Sequence, residues 1–299
     1  MLGSFSRAHS ANRESLRRSG MSTTLGGGDK GGTWGPRDVA EAWDRGAGAR
    51  AQAFGAATER MLELADVTRG ARVLDIAAGA GDQALMAARR VGPTGYVLAT
   101  DISSSMVDLA AAAARRAGLT NVDTRVMDAQ RLDIDAESFD AVISRFGLML
   151  IPDPNKALTE IRRVLRGGGK VAAIVFSTPD QCPYLSIPHA IARRVGRLAL
   201  STEPFGEFRL SGPGVLEEVY GSAGFHDVAV HQIPTRRTFP SVTAAVEYAK
   251  ALPVRELMAQ LSESEQGQAW AEIEVALRQF DGPNGYDSPC MLLIAVGRK

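Results

Sequence analysis

The stretch that decides the fold reads VLDIAAGAGDQ and spans residues 73–83. It begins in a β-rich run, Arg72–Ile76, passes through a turn with two glycines, Gly79 and Gly81, and enters an Ala-rich segment that predicts a helix over Asp82–Val91. Glycines in such a turn let the backbone approach a ligand closely, and the N-terminus of the helix points at that ligand. The sequence therefore predicts a ligand site where the first strand meets its helix.

Strands and helices alternate on the C-terminal side of this turn. The further predicted strands are Tyr96–Thr100, Val122–Val126, Phe139–Ser144 and Lys170–Phe176. The predicted helices between them are Ser103–Ala117, with Ser103 as its N-cap, and Asn155–Leu165, which the glycines of residues 167–169 should end. Alternation at this spacing predicts an α/β fold, with a parallel sheet covered on both faces and ligands at the carboxyl ends of its strands.

The segments that flank this core are expected to have other roles. Residues 1–33 are rich in Ser, Arg and Gly, lack a repeating apolar face and predict a flexible tail. We expect residues 34–299 to form one domain, with 34–66 as a helical cap, 72–176 as the core and 177–299 as a lid and closing strands. The predicted elements of the last part are helices over Tyr184–Leu200, Pro213–Ala223 and 242–280, and strands over Val228–Ile233 and Met291–Val296.

The glycine turn fits two kinds of cofactor. Gly79 and Gly81, with Ala84 three positions later, satisfy the loose dinucleotide fingerprint, so an NAD(P)-dependent oxidoreductase is one interpretation. A pyrophosphate in this turn would lie close to the carboxylates of Asp75 and Asp82, which would repel it. The same carboxylates suit a ligand that carries a sulfonium and an ammonium group. The acids therefore favour S-adenosylmethionine (SAM) over NAD(P).

Further residues fit a nucleoside. Asp101 ends the second strand, where its carboxylate can accept hydrogen bonds from both ribose hydroxyls. Ile102 and Met106 could flank the adenine, and Asp128 and Ala129 could bind its amino group and a ring nitrogen. The complete set of expected cofactor contacts is Asp75, Ala77, Gly79, Gly81, Asp82, Gln83, Asp101, Ile102, Met106, Asp128, Ala129 and Ser144.

Five segments in order resemble successive motifs of class I SAM-dependent methyltransferases. They are closest to the group that contains the ubiquinone/menaquinone-biosynthesis C-methyltransferases, and they are VLDIAAGAGD (73–82), VLATDISSSMVDLA (97–110), MDAQRL (127–132), SFDAVISRFGLMLIPD (138–153) and ALTEIRRVLRGGGKVA (157–172). The resemblance implies a Rossmann-like sheet of seven strands with one antiparallel strand. It also implies that Asp75 and the glycine turn hold the methionine portion of SAM, Asp101 the ribose, and Asp128 and Ala129 the adenine.

Two departures limit what this resemblance implies. Ala77 replaces the first glycine that is usual in the loop of the family. The helical stretch 241–280 is longer than expected for quinone-pathway members, so we expect helical insertions after strand five and near the C-terminus. The acceptor is therefore not transferred from the family, and O-, C- and N-methylation all stay open.

Few residues are candidates for binding the methyl acceptor or for accepting its proton. Tyr184 and His189 follow strand five and could act as a base, which is needed only if the acceptor loses a proton; otherwise they are a lid tyrosine and a surface histidine. Arg145 could bind an anionic acceptor or pair with an acid at the sheet edge. Trp34 and Trp43 are expected to pack in the core, with capping of the pocket as the alternative.

Composition narrows the class of substrate. The chain has 34 basic and 34 acidic residues, whereas proteins that bind nucleic acid usually carry a basic surplus. The four histidines show no metal-ligand spacing, and no apolar run is long enough to span a bilayer. We expect a cytoplasmic bacterial enzyme that methylates a small molecule, with a lid that could support a homodimer. A protein that binds SAM without catalysis is the other alternative.

Overall fold

The computed structural model describes residue 40 and residues 43–198, 206–250 and 254–299. The predicted flexible tail, 1–33, and Trp34 lie outside these ranges. None of the helices within them is long and apolar enough to span a membrane.

The core is a sheet whose strand order is β3-β2-β1-β4-β5-β8-β6, with β8 antiparallel to both of its neighbours. Its strands are β1 (Arg72–Ile76), β2 (Tyr96–Asp101), β3 (Val122–Val126), β4 (Phe139–Arg145), β5 (Leu165–Phe176), β6 (His226–Phe239) and β8 (Gly285–Arg298). This confirms the predicted Rossmann-like fold with one antiparallel strand. The two-residue β7 (Asp281–Gly282) pairs with β8 and adds an eighth strand to the predicted seven.

Helices cover the sheet as the alternation predicts. They are α1 (Ala47–Leu64), α2 (Asp82–Val91), α3 (Ser104–Arg116), α4 (Pro154–Val164) and α6 (Val215–Ser222). The side chain of Ser103 accepts a hydrogen bond from the backbone N–H of Met106, which confirms the predicted N-cap of α3.

The expected glycine stop of α4 is wrong. The helix ends at Val164, and Leu165 is already extended, so residues 167–169 lie inside β5. A Cβ atom on Gly169 would lie 2.8 Å from the carbonyl oxygen of Asp140. The glycine at this position is therefore needed because β4 passes close by, and the helix ends without it.

Strands β6 and β8 are longer than the sequence predicts. β5 pairs with β8 only as far as Phe176 and Leu292, whereas β6 and β8 remain paired to Phe239 and Tyr286. The hairpin formed by residues 234–239 and 286–291, which we call the arm, therefore extends beyond the carboxyl edge of β5.

A second apolar cluster forms a roof beside the arm. It contains α5 (Pro183–Val195), α7 (Val242–Ala249), α8 (Val254–Met258) and α9 (Glu263–Leu277), which confirms the helices predicted in these regions. Its buried side chains pack with one another and with the arm through Tyr184, Met258, Leu261, Ile273 and Tyr286. Roof and core thus have separate apolar clusters that meet above the strand ends.

Candidate active site

A cavity of about 610 Å³ lies between the carboxyl ends of the strands and the roof. Its sheet end is lined by residues at or just after the carboxyl ends of β1, β2 and β3, including Gly79, Asp101 and Asp128. Its roof end is lined by residues from α5, α7, α8 and the arm. Ligand pockets in proteins measure about 300–1,000 Å³, so this cavity can hold small molecules.

Asp101 is fixed at the sheet end by backbone hydrogen bonds. Its Oδ2 accepts from the N–H of Gly79 at 2.9 Å, and its Oδ1 accepts from the N–H of Ser103 at 3.0 Å. A carboxylate can accept about four hydrogen bonds, so these two contacts orient the group without using its full capacity as an acceptor. Ile102 and Met106 line the cavity beside it.

Asp128 and Ala129 line the same end of the cavity. The Oδ1 of Asp128 accepts from the backbone N–H of Gln130 at 2.8 Å, which fixes the orientation of the carboxylate. The predicted nucleoside residues therefore come together in one place.

The loop after β1 has a left-handed backbone at several positions. Ala77 and Gly79 have φ values of 54° and 56°, and both line the cavity. A Cβ atom on Gly79 would lie 3.1 Å from the indole nitrogen of Trp43. Trp43 also lines the cavity, as the capping alternative predicts.

Gly81 differs from the prediction. Its φ is 91° and it caps α2, but it does not line the cavity. A Cβ atom at this position would lie 3.0 Å from the Cβ of Ala110 on α3. This glycine therefore lets two helices approach each other.

The assignment of Asp75 and Gln83 to ligand contacts is corrected. Asp75 has no exposed surface, and its Oδ1 accepts from the Nε2 of Gln83 at 3.1 Å. Its Oδ2 has no hydrogen-bond partner among the described residues. Burial raises the pKa of the Asp75 carboxyl well above its ordinary value and favours the neutral acid. Neither side chain lines the cavity.

Asp82 also has a different role from the predicted one. Its Oδ2 accepts from the Nε of Arg50 at 2.9 Å and from the Nη2 of Arg145 at 3.0 Å. Two guanidinium groups neutralise this carboxylate, and Asp75 is buried, so neither acid repels a pyrophosphate as the sequence argument requires. The charges of these two acids therefore do not distinguish SAM from NAD(P).

Arg145 pairs with an acid, the second of its two predicted roles. Its Nη1 donates to the hydroxyl of Thr58 at 3.0 Å while its Nη2 binds Asp82. Both terminal nitrogens of the guanidinium thus bind protein groups, which favours pairing with an acid over binding an anionic acceptor, and the side chain also lines the cavity.

Ser144 does not reach the cavity. Its hydroxyl donates to the carbonyl oxygen of Ile76 at 3.0 Å and joins β4 to β1. The neighbouring Gly147 does line the cavity, and a Cβ atom there would lie 2.5 Å from the Cβ of Ala77. The close approach of these two loops explains the glycine, which the sequence analysis missed.

Arg50 is a second residue that the sequence analysis missed. Its guanidinium lies 4.1 Å from the ring centroid of Trp43 and lines the cavity. Its Nη2 is buried and has no hydrogen-bond partner among the described residues. A buried donor without a partner is costly, so this atom is suited to an anionic group of a ligand.

The cavity also has an aromatic wall, formed by side chains of the core cluster. The rings of Phe146 and Phe176 stack with centroids 4.4 Å apart, and the ring of Phe54 meets that of Phe146 edge-on at 4.8 Å. These geometries are typical of favourable aromatic packing. They give the cavity a wall that suits a flat apolar ring.

Tyr184 is a lid tyrosine. Its hydroxyl donates to the carbonyl oxygen of Ala245 at 2.8 Å, and burial raises its pKa far above the ordinary value. A phenol that resists ionisation is a poor base at neutral pH, which corrects the catalytic prediction for this residue.

His189 is buried, so the alternative of a surface histidine is wrong. Its Nδ1 lies 2.9 Å from the carbonyl oxygen of Leu185, which can accept only from a protonated ring nitrogen. In the neutral ring Nε2 is then unprotonated, and it lies 3.8 Å from Oε2 of Glu207. Both residues line the cavity.

Comparison with known proteins agrees with this geometry. Residues 56–195 match the ubiE/COQ5 methyltransferase family. The predicted resemblance to class I SAM-dependent methyltransferases of the UbiE group is confirmed. Solved structures with a similar fold include methyltransferases bound to SAM or to S-adenosylhomocysteine.

Two curated relatives illustrate the match. The ubiquinone/menaquinone biosynthesis C-methyltransferase UbiE of Idiomarina loihiensis is 39% identical over 119 residues, which are 40% of this chain and 47% of that protein. The demethylmenaquinone methyltransferase of Listeria welshimeri is 36% identical over 134 residues, which are 45% of this chain and 57% of that protein. The chain thus spans about half the length of these relatives.

A solved structure extends the comparison of the fold. The phosphoethanolamine N-methyltransferase 2 of Haemonchus contortus, in complex with SAM, aligns with a TM-score of 0.54 and 20% identity. The alignment covers 86% of this chain and 57% of that one. The family match ends at residue 195, so β6, α7, α8 and the arm lie outside it.

Proposed function

We propose that this chain transfers the methyl group of SAM to a small acceptor with a flat ring. The observation that carries the proposal is the shared cavity, which joins Asp101 and the glycine loop to the aromatic wall around Phe146. Donor and acceptor bound side by side in one cavity can react in line. Such positioning can contribute about 7–11 kcal/mol to lowering the barrier.

The residues of the sheet end fit the cofactor. Asp101 would accept from the ribose hydroxyls, and Asp128 and Ala129 would bind the adenine edge. Ile102 and Met106 offer apolar surface to its faces. These assignments are supported by the position of all five residues on one end of the cavity.

Arg50 would bind the carboxylate of the methionine portion. The support is its buried Nη2, which has no hydrogen-bond partner among the described residues and lies in the wall near Trp43 and Gly79. The backbone of the Ala77–Gly79 loop would lie against the same portion of the cofactor.

When bound, SAM supplies a methyl group on a sulfonium that is already a good leaving group. The protein then has to hold the nucleophile in line and, for a phenol or an enol, to accept its proton. His189 is our candidate for that base, because its imidazole lines the cavity and is oriented by the contact of Nδ1 with the carbonyl oxygen of Leu185.

The acceptor class rests on two supports. The names of the curated relatives refer to ubiquinone and menaquinone biosynthesis, which supports a quinone-type ring. The stacked rings of Phe146 and Phe176 suit such a ring. Because α7, α8, α9 and the arm lie outside the family match, the ring substituents are a separate question, and O-, C- and N-methylation stay open.

Three broader predictions accompany this function. The balance of 34 basic and 34 acidic residues supports a small-molecule acceptor over nucleic acid. A cytoplasmic location and a homodimer stay predictions.

A turnover assay tests the proposal. Purified protein is incubated with SAM carrying an isotopically labelled methyl group and a panel of hydroquinones, naphthols, catechols and aromatic amines, and products are identified by mass spectrometry. We expect labelled product from at least one ring class, and none from the Gly79→Val variant. Binding of S-adenosylhomocysteine (SAH) without any methylated product would favour the non-catalytic SAM-binding alternative.

A further inference from the structure

The arm places a buried cation at the roof end of the cavity. Arg237 lies on β6, is 6% exposed and lines the cavity. Its guanidinium carbon lies 5.0–5.5 Å from the centroids of four aromatic rings, those of Phe54, Tyr184, Phe239 and Tyr248. Aromatic faces attract a cation, which explains how the roof tolerates this side chain.

This cation lacks a charged partner within the described ranges. No carboxylate of residues 43–198, 206–250 and 254–299 forms an ion pair with Arg237, whereas Arg50 and Arg145 share Asp82. Glu207, whose side chain lines the same cavity, lies near His189 instead, with Oε2 3.8 Å from Nε2. A buried charge without a counter-ion is costly, because the ring faces replace only part of its hydration.

Arg236, which precedes Arg237 on β6, differs from it in exposure and in pairing. Successive side chains of a β-strand point to opposite faces. Arg236 is largely exposed and pairs with Asp287, its Nε lying 2.5 Å from Oδ1. Arg237 lies on the other face, in the cavity wall. The two arginines therefore form a natural pair for comparison.

The site next to Arg237 suits a flat ring. Phe54 contacts both groups, because its ring lies 5.0 Å from the guanidinium carbon of Arg237 and 4.8 Å from the ring of Phe146. An occupant stacked on the aromatic wall can thus carry a substituent to Arg237. A planar guanidinium binds a carboxylate through two parallel hydrogen bonds.

We propose that Arg237 binds a carboxylate on the acceptor ring, so that the enzyme selects aromatic acids over neutral rings of the same shape. This inference rests on the proposed function and adds the charge of the acceptor to it. Arg237 is then a specificity-determining residue supplied by the arm, outside the region that matches the family.

Calorimetric titration of the SAH-saturated protein tests the inference. The probes are 2-naphthoate and its neutral counterpart 2-naphthamide, each added to the wild type and to the Arg237→Met and Arg236→Met variants. We expect the wild type to bind the acid about 10-fold or more tightly than the amide, as is usual for hydrogen bonds to a charged group. Arg237→Met should abolish this preference, and Arg236→Met should keep it.

The outcomes separate the two proposals. Failure of the wild type to bind SAH would overturn the proposed function. If the wild type binds SAH but binds the two probes equally tightly, or does not bind the acid, the role of Arg237 alone is overturned. An acid preference that survives in Arg237→Met would do the same. The affinity of each variant for SAH shows whether it is folded. If Arg237→Met does not fold, Arg237→Lys takes its place in the experiment. This variant keeps the charge without the planar fork and should retain only part of the preference for the acid.

Discussion

The sheet end of the cavity is built mainly by backbone, whereas the roof end is built by side chains from distant parts of the chain. At the sheet end, two backbone N–H groups fix Asp101, and positive φ values shape the loop at Ala77 and Gly79. At the roof end, rings from α1, α5, α7 and the arm surround Arg237. A site built by backbone groups of one loop can be recognised from a short stretch of sequence. A site built by side chains from distant segments cannot.

The charged side chains at the two ends of the cavity also have different kinds of partner. Asp82 at the sheet end is neutralised by Arg50 and Arg145, while Arg237 at the roof end has aromatic neighbours and no ion pair among the described residues. We therefore expect variants at the sheet end to change cofactor affinity. Variants at the roof end should change acceptor choice or stability and leave cofactor affinity unchanged.

The largest effect is expected at Gly79. Gly79→Val places a β-branched side chain at a φ of 56° and against Trp43, so the loop and its cover must both shift. SAH affinity, measured by calorimetry, should fall by about 100-fold or more, which is about 2.7 kcal/mol. Gly167→Val is the control, because no atom lies within 4 Å of a Cβ there. An unchanged affinity for SAH in Gly79→Val would remove the loop from the cofactor site.

Asp101→Asn should have the next largest effect. It removes the charge and one acceptor oxygen, so SAH affinity should fall by about 10-fold or more. Asp108→Asn, an exposed substitution on α3, is the matched control and should leave the affinity unchanged. Equal affinities of the two variants would contradict the assignment of Asp101 to the ribose.

Tyr184→Phe tests whether a substitution in the roof changes stability without changing cofactor affinity. The substitution removes the hydrogen bond to Ala245, so the free energy of unfolding should fall by about 1 kcal/mol. SAH affinity and kcat should stay unchanged, because the hydroxyl does not ionise at neutral pH. A large loss of kcat at unchanged stability would restore Tyr184 as a catalytic residue.

The prediction for Asp75→Asn concerns how the free energy of unfolding changes with pH. Because the folded pKa of Asp75 is raised, the unfolded chain releases this proton first, and the stability of the wild type falls as the pH rises above about 3.8 towards the raised value. The amide does not titrate, so the variant should gain stability relative to the wild type across this pH range. Chemical unfolding at several pH values measures the difference. A relative loss for the variant on raising the pH would mean that Asp75 is ionised.

The sheet end could be predicted from the sequence because its signals are local. The strand, the glycine turn and Asp101 all lie within residues 72–101, and the N-cap Ser103 follows directly. The charges of Asp75 and Asp82 gave a wrong prediction, because the sequence does not show which residues pair with Asp82. Arg50 and Arg145 lie 32 and 63 residues away from it, and their pairing depends on tertiary packing.

The roof could be predicted as helices but not as a site. The apolar periodicity of 242–280 indicates helices, which the structure confirms. The position of Arg237 depends on how far β6 and β8 remain paired beyond β5, and no local pattern reports that length. Arg237 therefore has no signal in the sequence, whereas Arg145, for which the sequence leaves both an anionic acceptor and an acid partner open, pairs with Asp82.

Thermal unfolding with SAM, SAH, NAD and NADP tests the central claim most directly. Saturation at about 100 times the dissociation constant stabilises a folded protein by roughly 2.7 kcal/mol, which is readily seen as a shift in Tm. We predict a shift with SAM and SAH and none with the dinucleotides, and the Gly79→Val variant should lose it. A shift with NAD or NADP alone would contradict the account and point to an oxidoreductase.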